Sequence, residues 1–181
     1  MSPSELDLVD SHCHLDFPDL IQETEAIIAR ARAAGVNRMV TICTRLKNEP
    51  RVRALAEANP EVFYAAGTHP MSAAEEPLAT VAELVTLASH PRFVGIGETG
   101  LDYHYDFSPR DDQLVAFGRQ LDLARALELP VVLHIRDAHD DAWAVLAEHP
   151  ARAIDPGVVH CFTGTPAEAE RWVGQIGRAH V

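Results

Sequence analysis

Two histidines spaced two apart, His12 and His14, close the first apolar run of this 181-residue sequence, and Glu98, His134 and His160 close later ones. In extended backbone, residues i and i+2 face the same side, so one strand presents two imidazole nitrogens to one ion. A carboxylate and two more imidazoles complete a mixed nitrogen and oxygen set suited to Zn²⁺, Mn²⁺ or a similar divalent ion. The chemistry such a set supports is hydrolysis, through a polarised substrate oxygen and an acidified water. A single histidine at a strand end is ordinarily a hydrogen-bonded structural residue. His90 and His149, each before a proline at a helix end, and His104, in a loop, fit that description and are assigned no role. Ligand-type residues at four strand ends of six set the others apart, and Gly97 and Gly100 beside Glu98 permit close backbone approach.

Positioning such a set requires elements that bring distant residues to one rim. Short Val- and Ile-rich runs at 6–9, 39–43, 62–66, 93–96, 131–133 and 158–159 read as buried parallel strands. Amphipathic stretches at 20–34, 49–58, 73–89, 109–129, 138–148 and 166–174 read as helices between them. Ser108-Pro109 and Thr165-Pro166 put a capping hydroxyl before a first-turn proline, and Glu168 completes a capping box with Thr165. Six strand–helix alternations predict a parallel α/β fold. No glycine-rich loop follows the first strand, which weakens a dinucleotide-binding sheet. A TIM-type β/α barrel needs eight units, so the expectation is an incomplete barrel of about six. Its carboxyl-terminal strand ends would gather His12, His14, Glu98, His134 and His160 on one face.

Composition narrows the function classes. The chain is 47% hydrophobic, 23% charged and 6% aromatic, which excludes a disordered tail, a collagen-like repeat or a coiled coil. No apolar run approaches the ~18 residues of a membrane span, and no secretory leader opens the sequence. Three cysteines point to reduced thiols and a cytoplasmic location. Lys and Arg total 15 against 27 Asp and Glu, a formal net charge of −12, so a broad nucleic-acid platform or membrane binder is disfavoured. A narrow site charged by bound cations remains compatible. Cys13 and Cys161 alternate with the ligand histidines and are expected as buried packing thiols, and Trp143 and Trp172 as core residues.

The strings VDSHCHLD (9–16), THP (68–70), GETGLD (97–102), PVVLHIRD (130–137) and VVHCFTG (158–164) follow one another in an order that resembles the TatD family of metal-dependent hydrolases. The resemblance spans about residues 6–174. It implies an amidohydrolase-like barrel and a deoxyribonuclease, a 3′–5′ exonuclease on single-stranded DNA using two divalent ions (Mg²⁺, Mn²⁺ or Zn²⁺). Carried over residue by residue, His12, His14 and Glu98 hold one ion, and Glu98, His134 and His160 a second, with Glu98 bridging. Arg136 is expected to grip a phosphate or, equally, to pair with Asp137 or Asp102. His69 is expected to contact substrate or order its loop, and Asp102 to orient a ligand histidine. Partners other than a single-stranded or short oligonucleotide are not implied, neither membrane nor obligate protein.

The family pattern also expects a later strand ending in an Asp that serves as general base. No residue after His160 resembles it, and Asp155 precedes the sixth strand. Residues 176–181 (IGRAHV) back-translate, with a stop codon, to the start of a common sequencing-library adapter. The expectation is therefore a truncated barrel domain over 1–175 and a non-native tail over 176–181, in which His180 has no role. Two other readings stand beside the nuclease. An amidohydrolase of a small amide or ester would often bridge its ions with a carboxylated lysine, yet Lys47 is the sole lysine. An inactive metal-binding fragment is the second alternative.

Overall fold

The computed structural model describes residues 7–151 and 156–176. Six parallel strands alternate with helices: β1 (Leu8–Cys13), β2 (Val36–Cys43), β3 (Val62–Ala66), β4 (Phe93–Asp102), β5 (Val131–Arg136) and β6 (Gly157–Val159). The helices are α1 (Pro18–Ile21), α2 (Thr24–Ala33), α3 (Glu49–Ala58), α4 (Val81–Ala88), α5 (Arg110–Ala126), α6 (His139–Glu148) and α7 (Pro166–Ile176). The strands lie in sequence order, β1-β2-β3-β4-β5-β6, each paired in parallel with the next. A doubly wound sheet reverses its order at a switch point. Unreversed order is that of a β/α barrel, in which every right-handed crossover puts its helix on the same face and the sheet curls away from it.

The apolar residues divide accordingly. A large core, including Met39, Tyr64, Ile96, Phe117, Leu121, Leu133 and Trp172, fills the space between sheet and helices. A small cluster of Ile42, Ala65 and Val132, with Val40 and Val158 against it, lies apart on the inner face. Positions alternate along β5, so His134 and Arg136 share the face of Val132, while Leu133 and Ile135 belong to the outer core.

Several boundaries differ from those read in the sequence. The stretch 20–34 is two helices, α1 and α2, rather than one. The stretch 73–89 is helical only in α4, where Thr80 and Glu83 form a capping box; Pro77 lies in the irregular segment before it. Ser108 does not cap α5, whose cap position is Pro109; its Oγ accepts instead from the Ala74 N–H at 3.1 Å. The Thr165–Glu168 box does form, with Glu168 N–H donating to Thr165 Oγ1 at 3.3 Å and Thr165 N–H to the Glu168 carboxylate at 2.6 Å. Helix α7 continues to Ile176, which is buried. Asp155, residues 177–181 and the start of the run at 6–9 lie outside the described residues. No helix among the described residues is long and apolar enough to cross a membrane.

Candidate metal centre

The side chain at the middle of the rim is Glu98, 3% exposed. It does not end its strand as the sequence suggested, for β4 runs on to Asp102. Between Ile96 and Thr99 the pairing with β5 slips, three residues spanning what Val131 to Leu133 span in two. Such a bulge re-aims a side chain, and here it turns the carboxylate onto the inner face. Gly97 sits in the bulge at φ +146°, and a Cβ there would lie 2.5 Å from the Val132 carbonyl oxygen, so only glycine fits.

Five histidines surround this carboxylate, and its two oxygens face different ones. Oε2 lies 3.5 Å from His12 Nε2 and 3.8 Å from His14 Nε2. Oε1 lies 3.1 Å from His134 Nδ1 and 3.5 Å from His69 Nε2, and it contacts His160 Nε2. Nitrogen approaches nitrogen as well: His12 Nε2 to His14 Nε2 at 3.2 Å, and His134 Nδ1 to His160 Nε2 at 3.3 Å. The structure thus brings together His12, His14, Glu98, His69, His134 and His160.

Hydrogen bonds to the far side of His14, His134 and His69 fix which nitrogen carries the proton. His14 Nδ1 donates to the Ile42 carbonyl at 3.2 Å, which leaves an Nε2 lone pair facing the centre. His134 Nε2 donates to Asp102 Oδ2 at 2.8 Å, and Nδ1 is the nitrogen turned inward, toward Glu98. Asp102 is itself held, accepting from the N–H groups of His104 and Tyr105 at 3.0 and 3.1 Å. His69 is the reverse case. Its Nδ1 accepts from the Met71 N–H at 3.1 Å, so Nε2 bears the proton and points at Glu98 as a donor.

Electrostatics agree with a cation site. Burial pushes the Glu98 carboxyl up, but hydrogen bonds from His12, His134, His160 and His69 outweigh it and hold the group well below the usual carboxylate range. Burial draws His14 and His160 down, which favours their neutral forms. Burial also lowers His134, yet Glu98 and Asp102 on either side prevail and raise it. His12 Nδ1 is buried without a partner. Imidazole nitrogens facing one another and one ionised carboxylate form a donor set that fits a divalent metal ion. The groups His12–His14–Glu98 and His69–Glu98–His134 each lie within reach of one ion, the second only if His69 Nε2 gives up its proton.

Other sequence-selected residues are placed less centrally. Arg136 pairs with neither Asp137 nor Asp102: Asp137 is taken by His104 at 3.2 Å and Asp102 by His134. Its guanidinium lies 5.1 Å from the Tyr105 ring centre. Cys13 donates to the Val40 carbonyl, and burial pushes its thiol up to about 12, as a packing residue requires. Cys161 contradicts that expectation, being exposed at a turn with φ +46° that ends the alternation after β6. Trp143 and Trp172 are buried in the core. His90 and His149 bond Glu57 and Asp122 away from the centre, and Lys47 pairs with Glu76 at 3.0 Å.

Sequence reasoning missed Gln113 and Gln120, buried on α5. Gln120 accepts from the Thr68 N–H at 2.8 Å and donates to the Thr68 carbonyl at 3.1 Å, clamping the segment that carries His69. Gln113 does the same for Asp102, at 2.8 and 3.1 Å. Their spacing of seven, two helical turns, was the available signal.

The comparisons with known proteins follow this geometry. Residues 9–178 match the family described as TatD related DNase. The uncharacterized metal-dependent hydrolase YabD of Bacillus subtilis is 39% identical over 91% of this chain and 64% of its own length. The 3′-5′ ssDNA/RNA exonuclease TatD of Escherichia fergusonii is 34% identical over 93% of this chain and 64% of its own. The chain therefore spans less than two thirds of the curated relatives it matches. The crystal structure of YjjV, a TatD homologue from Escherichia coli, superposes with a TM-score of 0.86 at 35% identity, covering 95% of this chain and 66% of that one. An uncharacterized amidohydrolase from Saccharomyces cerevisiae, at TM-score 0.80 and 19% identity, shares the barrel fold. With its ordered strand ends, its histidine–glutamate centre and this match over nearly its whole length, the chain belongs to the TatD related DNase family.

Proposed function

We propose that this centre hydrolyses phosphodiester bonds of single-stranded DNA from the 3′ end, with two divalent ions, Mg²⁺, Mn²⁺ or Zn²⁺, bridged by Glu98. The observation that carries the reading is the division of the carboxylate, Oε2 toward His12 and His14, Oε1 toward His134 and His160. Each oxygen with its imidazoles would hold one ion. Two such ions would lower the pKa of water and neutralise charge developing at phosphorus. The exonuclease activity named for the Escherichia fergusonii relative supports the substrate class.

The chain's own residues divide the remaining work. Asp102 fixes the His134 tautomer. The His69 Nε2–H donates toward Glu98 and would reach a phosphate oxygen only by turning from it. Arg136, on the inner face at the end of β5, offers a guanidinium fork to phosphate.

A second reading, metal binding without rapid turnover, is favoured by one observation. Glu98 and Asp102, the carboxylates at this centre among the described residues, are both engaged by imidazoles, so neither stands ready to take a proton from water. The test is release of mononucleotides from end-labelled single-stranded DNA with Mn²⁺. The nuclease reading expects release that chelator and Glu98→Ala both abolish. Metal retained with no release above blank supports the second reading. Release that survives Glu98→Ala contradicts both.

A further inference from the structure

Three aromatic rings stand in solvent around the mouth of the centre: Phe17 is 44% exposed, Tyr105 43% and Phe107 66%. Scattered singly, exposed rings call for no explanation, but these are grouped. Phe17 and Phe107 line the same cavity, of about 420 Å³, as Glu98, His134 and His160. Phe17 lies flat on His14, with ring centres 4.4 Å apart and planes at 18°. Phe107 is followed by Tyr105, 5.7 Å away at 31°, and Arg136 stands over the Tyr105 ring at 5.1 Å. A strip of π surface therefore leads out of the cavity along the loop between β4 and α5, ending under a cation that makes no ion pair among the described residues.

We propose that this strip is a stacking platform for the unpaired bases of a single nucleic-acid strand. Phe17 and Phe107 take the base at the bond to be cut, and Tyr105 takes the next, with Arg136 over its ring left to meet the phosphate between them. The proposal rests on the phosphodiesterase reading above and names what holds its substrate. Charge selects this occupant's mode of binding. With a net charge of −12 the chain offers no electrostatic funnel for a phosphate backbone. Arg45, also at the cavity, is neutralised by Glu75 at 2.6 Å. Affinity must then come from base faces, which every nucleobase presents and which are accessible only in a single strand. A duplex buries those faces.

The experiment uses the metal-loaded chain and short phosphorothioate single strands carrying 2-aminopurine at the 3′ end. Binding is expected to quench the fluorophore. Phe107→Ala and Tyr105→Ala should each weaken binding by about tenfold, and Phe107→Tyr should restore it. A strand of abasic sites and the matching duplex should also bind about tenfold or more weaker. The log–log salt slope should stay near −1, as one or two phosphate contacts give. Equal affinity for the abasic strand, unchanged binding in both Ala variants, or a steep salt slope overturns the platform. Mononucleotide release from an ordinary strand, measured in parallel, separates the two readings. Release with ring-independent binding sinks the platform alone; ring-dependent binding without release supports it and sinks the nuclease; neither release nor binding sinks both.

Discussion

Glu98 is ionised at the bottom of a cavity because histidines surround it on both sides, and its removal has consequences that separate binding from folding. Truncation in Glu98→Ala takes away the proposed shared ligand, so bound metal after dialysis should fall to background. The fold should persist, because the strands and the outer core that position the site do not depend on the carboxylate. Circular dichroism alongside elemental analysis checks both. Asp102 acts one step back. In Asp102→Asn the amide oxygen stays with the His104 and Tyr105 N–H groups, so an NH₂ faces His134 Nε2 in place of the acceptor that fixes its tautomer, and metal affinity should drop about 10–100-fold by calorimetry. The same carboxyl gives a pH signature. Burial raises it, but bonds from the Tyr105 and His104 N–H groups and from His134 outweigh this and lower it. A carboxyl depressed in the folded state stabilises fully above its unfolded value, about 3.9, and loses that contribution as pH falls through the lower folded value. Wild type should therefore lose stability below about pH 4 more steeply than Asp102→Asn in acid-denaturation midpoints; parallel acid limbs would contradict this.

At the scale of elements, strand ends carried most of the message. His12 and His14 declared a shared face through their spacing, and His134 and Arg136 did so on β5. What periodicity could not reveal was the bulge at Gly97–Glu98, since an inserted residue breaks the alternation on which the face of a strand is read. His69 was ambiguous for a related reason: its contact with Glu98 depends on Gln120, fifty-one residues later, and on Gly67, whose Cβ would meet Gln120 Oε1 at 2.6 Å. Helix ends were read where capping chemistry was local, as at Thr165, and misread where a tertiary partner claimed the hydroxyl, as at Ser108. Gln120→Leu should leave the Thr68 N–H and carbonyl unsatisfied in the core, costing about 2–4 kcal/mol in urea unfolding. It should also release His69, seen as a shift in its ring resonances. Thr165→Ala should cost about 1 kcal/mol, local to α7.

Across the molecule, β1 and β6 each pair on one side only among the described residues. On β1, Leu8 and Val9 are 45% and 52% exposed, an apolar edge of the kind that recruits further strands. The 181-residue chain is therefore expected to self-associate at micromolar concentrations in sedimentation velocity, and Val9→Lys to shift it toward monomer. A monodisperse wild type would remove that expectation. Composition announced the acidic surface but not its complement, an aromatic rather than basic approach to the centre, because exposure of a phenyl ring is a property of the fold. The central claim is that one carboxylate joins two imidazole sets around two ions. Electron paramagnetic resonance of the chain loaded with Mn²⁺ tests it most directly. Two Mn²⁺ per chain are expected, with the exchange-coupled spectrum of a carboxylate-bridged pair that is lost in Glu98→Ala. A six-line spectrum of isolated Mn²⁺, or no bound Mn²⁺ with Glu98 in place, would contradict it.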